Sequence, residues 1–277
     1  MNPKLEKTEE NQALAVFTAL EPLAVGGLIG LLLVAPREGT AGLDWAALVV
    51  LGTGLLALAV SLLHLGRPWR APLAILHLSA SWLSREVMLF GLFLMAVLAY
   101  MLLPLALPGH PAVRVIGICA AVLGLLATIA TGETYRLHSR PSWDHWLTSI
   151  SFLVGALSTG AFFGFFIASR FNGGIDAPKI AWTTTSIFLW ISLAVSVLRS
   201  IRRPVVEEGR ESRQRSMGAY LWLLLVRAAA VLLAFGLITM GEGMQFLAWM
   251  PALVGELADR FLFFETVVPV SLRKRFL

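Results

Sequence analysis

Eight stretches of this 277-residue chain are long and apolar enough to cross a hydrocarbon core as helix. A core of about 30 Å takes roughly 20 helical residues. The stretches cover residues 12–35, 43–65, 84–107, 112–134, 144–169, 178–198, 216–241 and 246–271, and the dips between them carry Pro, Gly or charge. Hydrophobic residues make up 57% of the chain and charged residues 14%, with a mean hydropathy of +0.78. So little charge cannot cover a soluble surface of this size. The expected fold is therefore an all-α integral membrane protein: one domain over residues 1–277, a bundle of eight transmembrane helices with both termini on the same side. A soluble enzyme, a nucleic-acid binder and a disordered scaffold fall away. Cys119 is the single cysteine, so neither an internal disulfide nor a cysteine-ligated iron–sulfur cluster or zinc site is expected in the chain.

Local signals mark the ends. Ser84 reads as the N-cap of the third span with Glu86 in its first turn, and Pro178 suits the first turn of the sixth. The segment Arg199–Arg215 reads as a charged, solvated linker. With eight spans, sixteen Lys and Arg side chains fall on the side of the termini and four (Arg37, Arg114, Arg170, Lys179) on the other. The positive-inside rule then places both termini in the cytoplasm of an inner-membrane protein. No cleavable signal peptide is expected, since residues 1–11 are hydrophilic and the first apolar run is too long for one. Leu63–Trp69 and Leu137–Trp143 echo each other after spans two and four. The echo fits a parallel duplication of helix pairs, and the interfacial preference of Trp and Arg accounts for it equally well.

Ionisable groups inside a span cost several kcal/mol and face a cavity or a partner. Glu21 interrupts span one beside Pro22, and His64 closes span two. Arg85 and Glu86 open span three, while Arg227 lies in span seven and Glu256, Asp259 and Arg260 in span eight. Glu256 and Arg260 stand i, i+4, as a structural ion pair requires, and Arg227 has Glu256 or Asp259 as candidate partners. Glu21, His64 and Glu86 instead converge near the cytoplasmic ends of spans one, two and three. Such a pocket suits a quinone, whose two carbonyl oxygens need hydrogen-bonding groups and a nearby proton exchanger. In this reading His64, Glu86 and Glu21 exchange protons and Arg85 balances charge. Trp69, Tyr135 and Trp143 wall the head group, or else belong to the interfacial aromatic belt. Arg67, Arg70, Arg136 and Arg140 go to partner docking or lipid phosphate.

A bis-histidine haem needs two ligands on facing helices. Only His64 lies close to a span, because His77, His110, His138 and His145 fall in loops or at span edges. No haem and no metal site are therefore expected, and a partner must bring the redox centres.

These residues carry a resemblance. Ser61–Ala71, with His64-Leu65-Gly66-Arg67-Pro68-Trp69-Arg70 at its centre, looks like the end of the second helix of the dimethyl sulfoxide reductase membrane-anchor subunit family. Ser81-Trp82-Leu83-Ser84-Arg85-Glu86 resembles the start of that family's third helix. Arg140-Pro141-Ser142-Trp143 leading to Ser151-Phe152-Leu153 is similar to its stretch before helix five. Gly255-Glu256-Leu257 with Arg260 and Phe263 is similar to its final helix. The resemblance implies a haem-free anchor for an iron–sulfur subunit of four-cluster ferredoxin type and a molybdenum- or tungsten-bis-pterin catalytic subunit. It also implies electron exchange with menaquinone or ubiquinone, with the quinone-site histidine at His64 and the third-helix carboxylate at Glu86. Relatives include sulfite-oxidising, tetrathionate-linked and polysulfide-type complexes, which leaves the direction of electron flow open. Two other classes stay open: a small-ion or proton-coupled transporter using Glu21, Arg227 and Glu256, and a haem-bearing quinol-oxidising anchor.

Overall fold

A computed structural model of the chain describes residues 3–34, 44–63, 77–138, 143–171, 177–201, 210–241 and 243–265. Those residues form helices α1 (Pro3–Val34), α2 (Trp45–Leu63), α3 (Trp82–Ala106), α4 (Ala112–Thr134), α5 (Trp146–Gly155), α6 (Ala161–Phe171), α7 (Lys179–Ile201), α8 (Arg210–Met240) and α9 (Trp249–Glu265), with no strand among them. A π-helical turn, Ala156–Gly160, joins α5 to α6 as one continuous rod. Seven rods are long and apolar enough to cross a membrane. The stretch assigned to an eighth span is different. A short 3₁₀ turn at Met244–Leu247 precedes α9, which has only 17 residues and carries Glu256, Asp259 and Arg260.

Several ends differ from their sequence assignments, each for a local reason. Ser81, not Ser84, caps α3: its backbone is extended (φ −126°, ψ 125°) and its side chain accepts from the Ser84 N–H at 3.4 Å. Ser84 is thereby carried into the helix and buried. His145 caps α5 in the same way, its Nδ1 accepting from the Leu147 N–H at 3.1 Å. Asp44 caps α2, accepting from the Ala47 N–H at 3.0 Å. The linker assigned to Arg199–Arg215 is corrected at both ends, since α7 runs to Ile201 and α8 starts at Arg210. Arg199 is drawn into the bundle by a carboxylate described below.

Two rods form the centre. The apolar window of α1 is 72% buried and that of α5–α6 is 78% buried, against 22–44% for the other five. The two cross with almost no side chain between them. Gly26 and Gly30 on α1 face Gly160 and Gly164, four residues apart on each rod. A Cβ added to Gly160 would come within 2.7 Å of the Gly26 Cα, and one on Gly164 within 2.7 Å of the Gly30 Cα. Apolar side chains gain nothing by leaving lipid for a helix interface, so close backbone approach through small residues is what drives packing here. The π turn falls within this crossing, next to Gly26, and its extra residue resets which face of the rod meets α1. The α3–α4 hairpin closes similarly, with Gly124 set against Phe93 and Val25.

Gly164→Leu is predicted to lower stability in mild detergent by about 3 kcal/mol, because backbone rather than a movable side chain blocks the new atoms. Gly52 has open space around it, so Gly52→Ala should stabilise by up to about 1 kcal/mol through helix propensity. Unfolding midpoints of the two variants measured side by side decide it, and equal midpoints would remove the crossing from its central place.

Candidate functional site

The α3–α4 hairpin packs on α1 and brings two buried carboxyl groups together. Glu21 is fully buried on α1, and Glu86 lies on the buried stripe of α3 with Ser84, Phe90 and Phe93. The Thr131 hydroxyl of α4 lies 2.9 and 3.0 Å from the two Glu21 oxygens and 3.1 Å from its own helix's Ala127 carbonyl. Thr131 and Thr134 also face Glu86, and the Glu86 charge acts on Glu21. Among the described residues, Glu86 Oε2 is buried without a hydrogen-bond partner. A buried carboxyl oxygen left unpartnered costs about 1–3 kcal/mol or more, so this atom is a natural receptor for a ligand's O–H.

The other sequence-assigned residues divide. His64, Arg67, Trp69, Arg70 and Arg140 lie outside the described residues. Arg85 does not face the acid pair with its hydrogen bonds. Its Nε donates to the Leu78 carbonyl at 2.8 Å and its Nη2 to the Ser79 carbonyl at 2.9 Å, and the guanidinium lies 4.3 Å from the Trp82 ring centre. That side chain ties down the turn that delivers α3. Arg136 pairs with Glu133 at 2.8 Å, and Glu133 also accepts from the Ser149 hydroxyl at 2.6 Å.

Tyr135 and Trp143, assigned to a head-group wall, sit in a packed aromatic cluster. Tyr135 stacks on Phe152 at 5.9 Å with the rings 7° from parallel, and meets Trp143, Phe263 and Phe264 edge-on. Trp143 stacks on Phe263 at 4.8 Å and is only 3% exposed. Its indole N–H donates to the Phe263 carbonyl at 3.0 Å, satisfying one of the acceptors that the end of α9 leaves without an intrahelical donor. Edge and stacked pairs of this kind add about 0.5–1.5 kcal/mol each beyond area burial.

Beside this aromatic cluster lies a charged one. Glu256 accepts from both Arg260 and Arg227, the latter at 3.1 Å. Arg227 also donates to the Ser192 hydroxyl at 2.9 Å. Asp259 accepts from Arg199 at 2.7 Å, and Arg199 donates to the Ser151 hydroxyl at 3.0 Å. Arg260 donates to the Ser151 carbonyl at 3.2 Å and lies 3.9 Å from the Phe152 ring centre. A Cβ on Gly155 would reach Glu256 at 2.6 Å, so only glycine leaves room for the carboxylate there. Thr131, Arg199, Ser151 and Ser192 carry this polar architecture and escaped the sequence reading. Threonine and serine are ordinary in apolar helices, and Arg199 looked like a span-end arginine. One signal was available in Ser192, Ser196 and Arg199, which fall on one face of α7. Among the described residues, no group of His, Cys, Asp and Glu could hold a metal ion.

Comparison with known proteins places this architecture. The chain is similar to a sulfite dehydrogenase subunit of Allochromatium vinosum, with 29% identity over 185 residues, which is 62% of this chain and 56% of that protein. The match thus spans little more than half the length of that relative. A family model described as DMSO reductase anchor subunit (DmsC) matches residues 10–265. That stretch takes in the acid pair, the arginine cluster and the aromatic packing between them, and the chain therefore belongs to the family of DMSO reductase anchor subunits, multi-pass helical membrane proteins.

Proposed function

We propose that the chain is the membrane anchor of a molybdopterin oxidoreductase complex. In this reading it binds a quinone or quinol beside Glu86 and Glu21 and passes electrons between it and a docked iron–sulfur subunit. The observation that carries the reading is the unpartnered Glu86 Oε2, buried against Thr131, Thr134 and Glu21 in otherwise apolar surroundings. A quinol supplies two electrons and two protons when bound, and its hydroxyl groups need acceptors of this kind. Glu86 and Glu21 would accept those protons when quinol is oxidised and give protons to the head group when quinone is reduced, and His64, which follows α2 directly, would serve the second oxygen. Tyr135 and Trp143 act from behind by fixing the ends of α4 and α9. Arg85 sets the start of α3 and so the height of Glu86.

In the same proposal α9 completes eight spans, because its charged face is turned inward on α5, α7 and α8 and leaves its other face to lipid. Val254 and Met250 on that face are exposed. Eight spans put both termini on the arginine-rich side, which the positive-inside rule makes the cytoplasm. Arg67, Arg70 and Arg140 on that side would meet the iron–sulfur subunit, whose catalytic partner carries molybdenum or tungsten bis-pterin. The likeness to a sulfite dehydrogenase subunit favours sulfite oxidation, with electrons entering the quinone pool, over S-oxide reduction.

Affinity purification from the native host in mild detergent should bring down molybdenum or tungsten with abundant non-haem iron. A metal-free chain from properly induced cells would overturn the anchor assignment. In the purified complex, Glu86→Gln is predicted to lower quinone-linked turnover by about 100-fold or more with assembly intact, the usual contribution of a proton exchanger. His64→Arg should do the same while leaving electron transfer from the catalytic subunit to its clusters unchanged. Normal quinone turnover in either variant removes that residue from the site.

A further inference from the structure

On their own helices, every aromatic side chain within one turn of Glu21, Glu86 or Thr131 stands four residues from one of them. On α1, Phe17 precedes Glu21 by four. On α3, Trp82 and Phe90 flank Glu86 by four on either side, and at the end of α4 Tyr135 follows Thr131 by four. Residues at that spacing share one face of a helix, with Cβ atoms about 5–6 Å apart. These four rings are therefore the ones that α1, α3 and α4 offer to a ligand at Glu86.

Two of the four are already engaged. The Arg85 guanidinium lies 4.3 Å from the Trp82 ring centre, and Tyr135 has the rings of Trp143, Phe152, Phe263 and Phe264 against it. The other two meet each other. Phe17 and Phe90, 5% and 3% exposed, stand edge to face with centroids 6.5 Å apart and planes at 81°. That is close to the outer limit of about 7 Å for an aromatic pair. The contact also joins helices that share little else, because α1 and α3 each pack on α2 and α4 rather than on one another. The two rings thus meet across the middle of a four-helix group, where Phe90 is also stacked on Phe93 at 5.7 Å. One turn along α3 from this loose contact lies Glu86, whose buried Oε2 has no hydrogen-bond partner among the described residues.

We propose that Phe17 and Phe90 seat the quinone ring, the role that the sequence reading gives to Tyr135 and Trp143. A head-group oxygen bonded to Glu86 Oε2 brings its ring against Phe90, the next aromatic side chain on the same face of α3. The two phenyl groups part and the head group takes the place of their contact, so one loose aromatic contact is exchanged for two. Rotation of side chains suffices, since no close backbone packing joins α1 to α3 at this point. A quinone ring is planar and electron-poor, and the face of a phenyl ring carries the negative end of its quadrupole, so the pairing is favourable electrostatically as well as by area. The inference rests on the quinone reading of this site and names the side chains that hold the ring.

The test uses the purified complex, its iron–sulfur clusters reduced with dithionite and then mixed with decylubiquinone or menadione. Clusters of the unaltered complex should reoxidise at a rate that saturates with quinone. Phe17→Leu and Phe90→Leu should each raise the half-saturating concentration about 3- to 10-fold, the effect of one aromatic contact, with the limiting rate unchanged. Phe162→Leu, at an equally buried ring stacked on Trp182, should leave both quantities as they were. A half-saturating concentration unmoved in both Phe17→Leu and Phe90→Leu overturns the seat, because a pair that only packs the core alters assembly or limiting rate instead. Should the leucine variants fail to assemble, an azidoquinone photoprobe on the unaltered complex replaces them. Labelled peptides should then carry Phe17 or Phe90, and labelling confined to other helices overturns the proposal. If neither quinone reoxidises the clusters of the unaltered complex, the quinone reading fails and the seat with it. If both do, and Glu86→Gln stops the reaction while the leucine variants behave as the unaltered complex, the seat alone fails.

Discussion

Direct contact between the backbones of α1 and the α5–α6 rod is the constraint on which the rest of the bundle depends. Glycines at Gly26, Gly30, Gly160 and Gly164 let the two axes approach until Cα nearly meets Cα. Everything polar in the interior is hung on one of these two rods or on a helix packed against them. Glu21 lies little more than one turn before Gly26 on α1, and Ser151 and Gly155 lie on α5 just before the π turn. The π turn has its place in this geometry, because the contact face of α5–α6 must change from arginine-binding to glycine-packing within two turns.

Polar groups in such an interior have two ways to be tolerated, and the bundle uses both. In the cluster of α7, α8 and α9, each carboxylate is met by a guanidinium, and hydroxyls from Ser151 and Ser192 take up remaining donors. Removing one member of such a set strands a buried charge at a cost of about 3–5 kcal/mol. The set is therefore fitted to hold helices in register and poorly fitted to titrate. At Glu21 and Glu86 the opposite holds. Among the described residues a hydroxyl is the hydrogen-bonding side chain on Glu21, and one Glu86 oxygen has none. Carboxyl groups in that setting can change protonation without dismantling the packing.

Much of this was legible in the sequence, and the limits have physical causes. Hydropathy located seven of the rods to within a few residues because nothing competes with the length requirement of a hydrocarbon core. It misplaced the cap of α3, where Ser81 wins over Ser84 on backbone geometry, and gave none for α5, which His145 caps. The inward charges Glu21, Glu86, Arg227, Glu256, Asp259 and Arg260 stood out because each is anomalous in an apolar run. Arg199 was lost for the same reason reversed: an arginine at the end of a span is ordinary until a partner such as Asp259 is known. Tyr135 and Trp143 show a further limit, since an aromatic near the interface carries no mark distinguishing belt, site wall and core. Their ring partners Phe152, Phe263 and Phe264 come from distant parts of the chain, and pairing at that range leaves no trace in local spacing.

The aromatic cluster also explains how the two polar centres can sit side by side without merging. Phe152 is stacked on Tyr135 and also carries the Arg260 guanidinium, while Phe263 lies 5.3 Å from the Arg199 guanidinium. The rings give the arginines a π face where a carboxylate would otherwise be required, which is how three guanidiniums share two close acids.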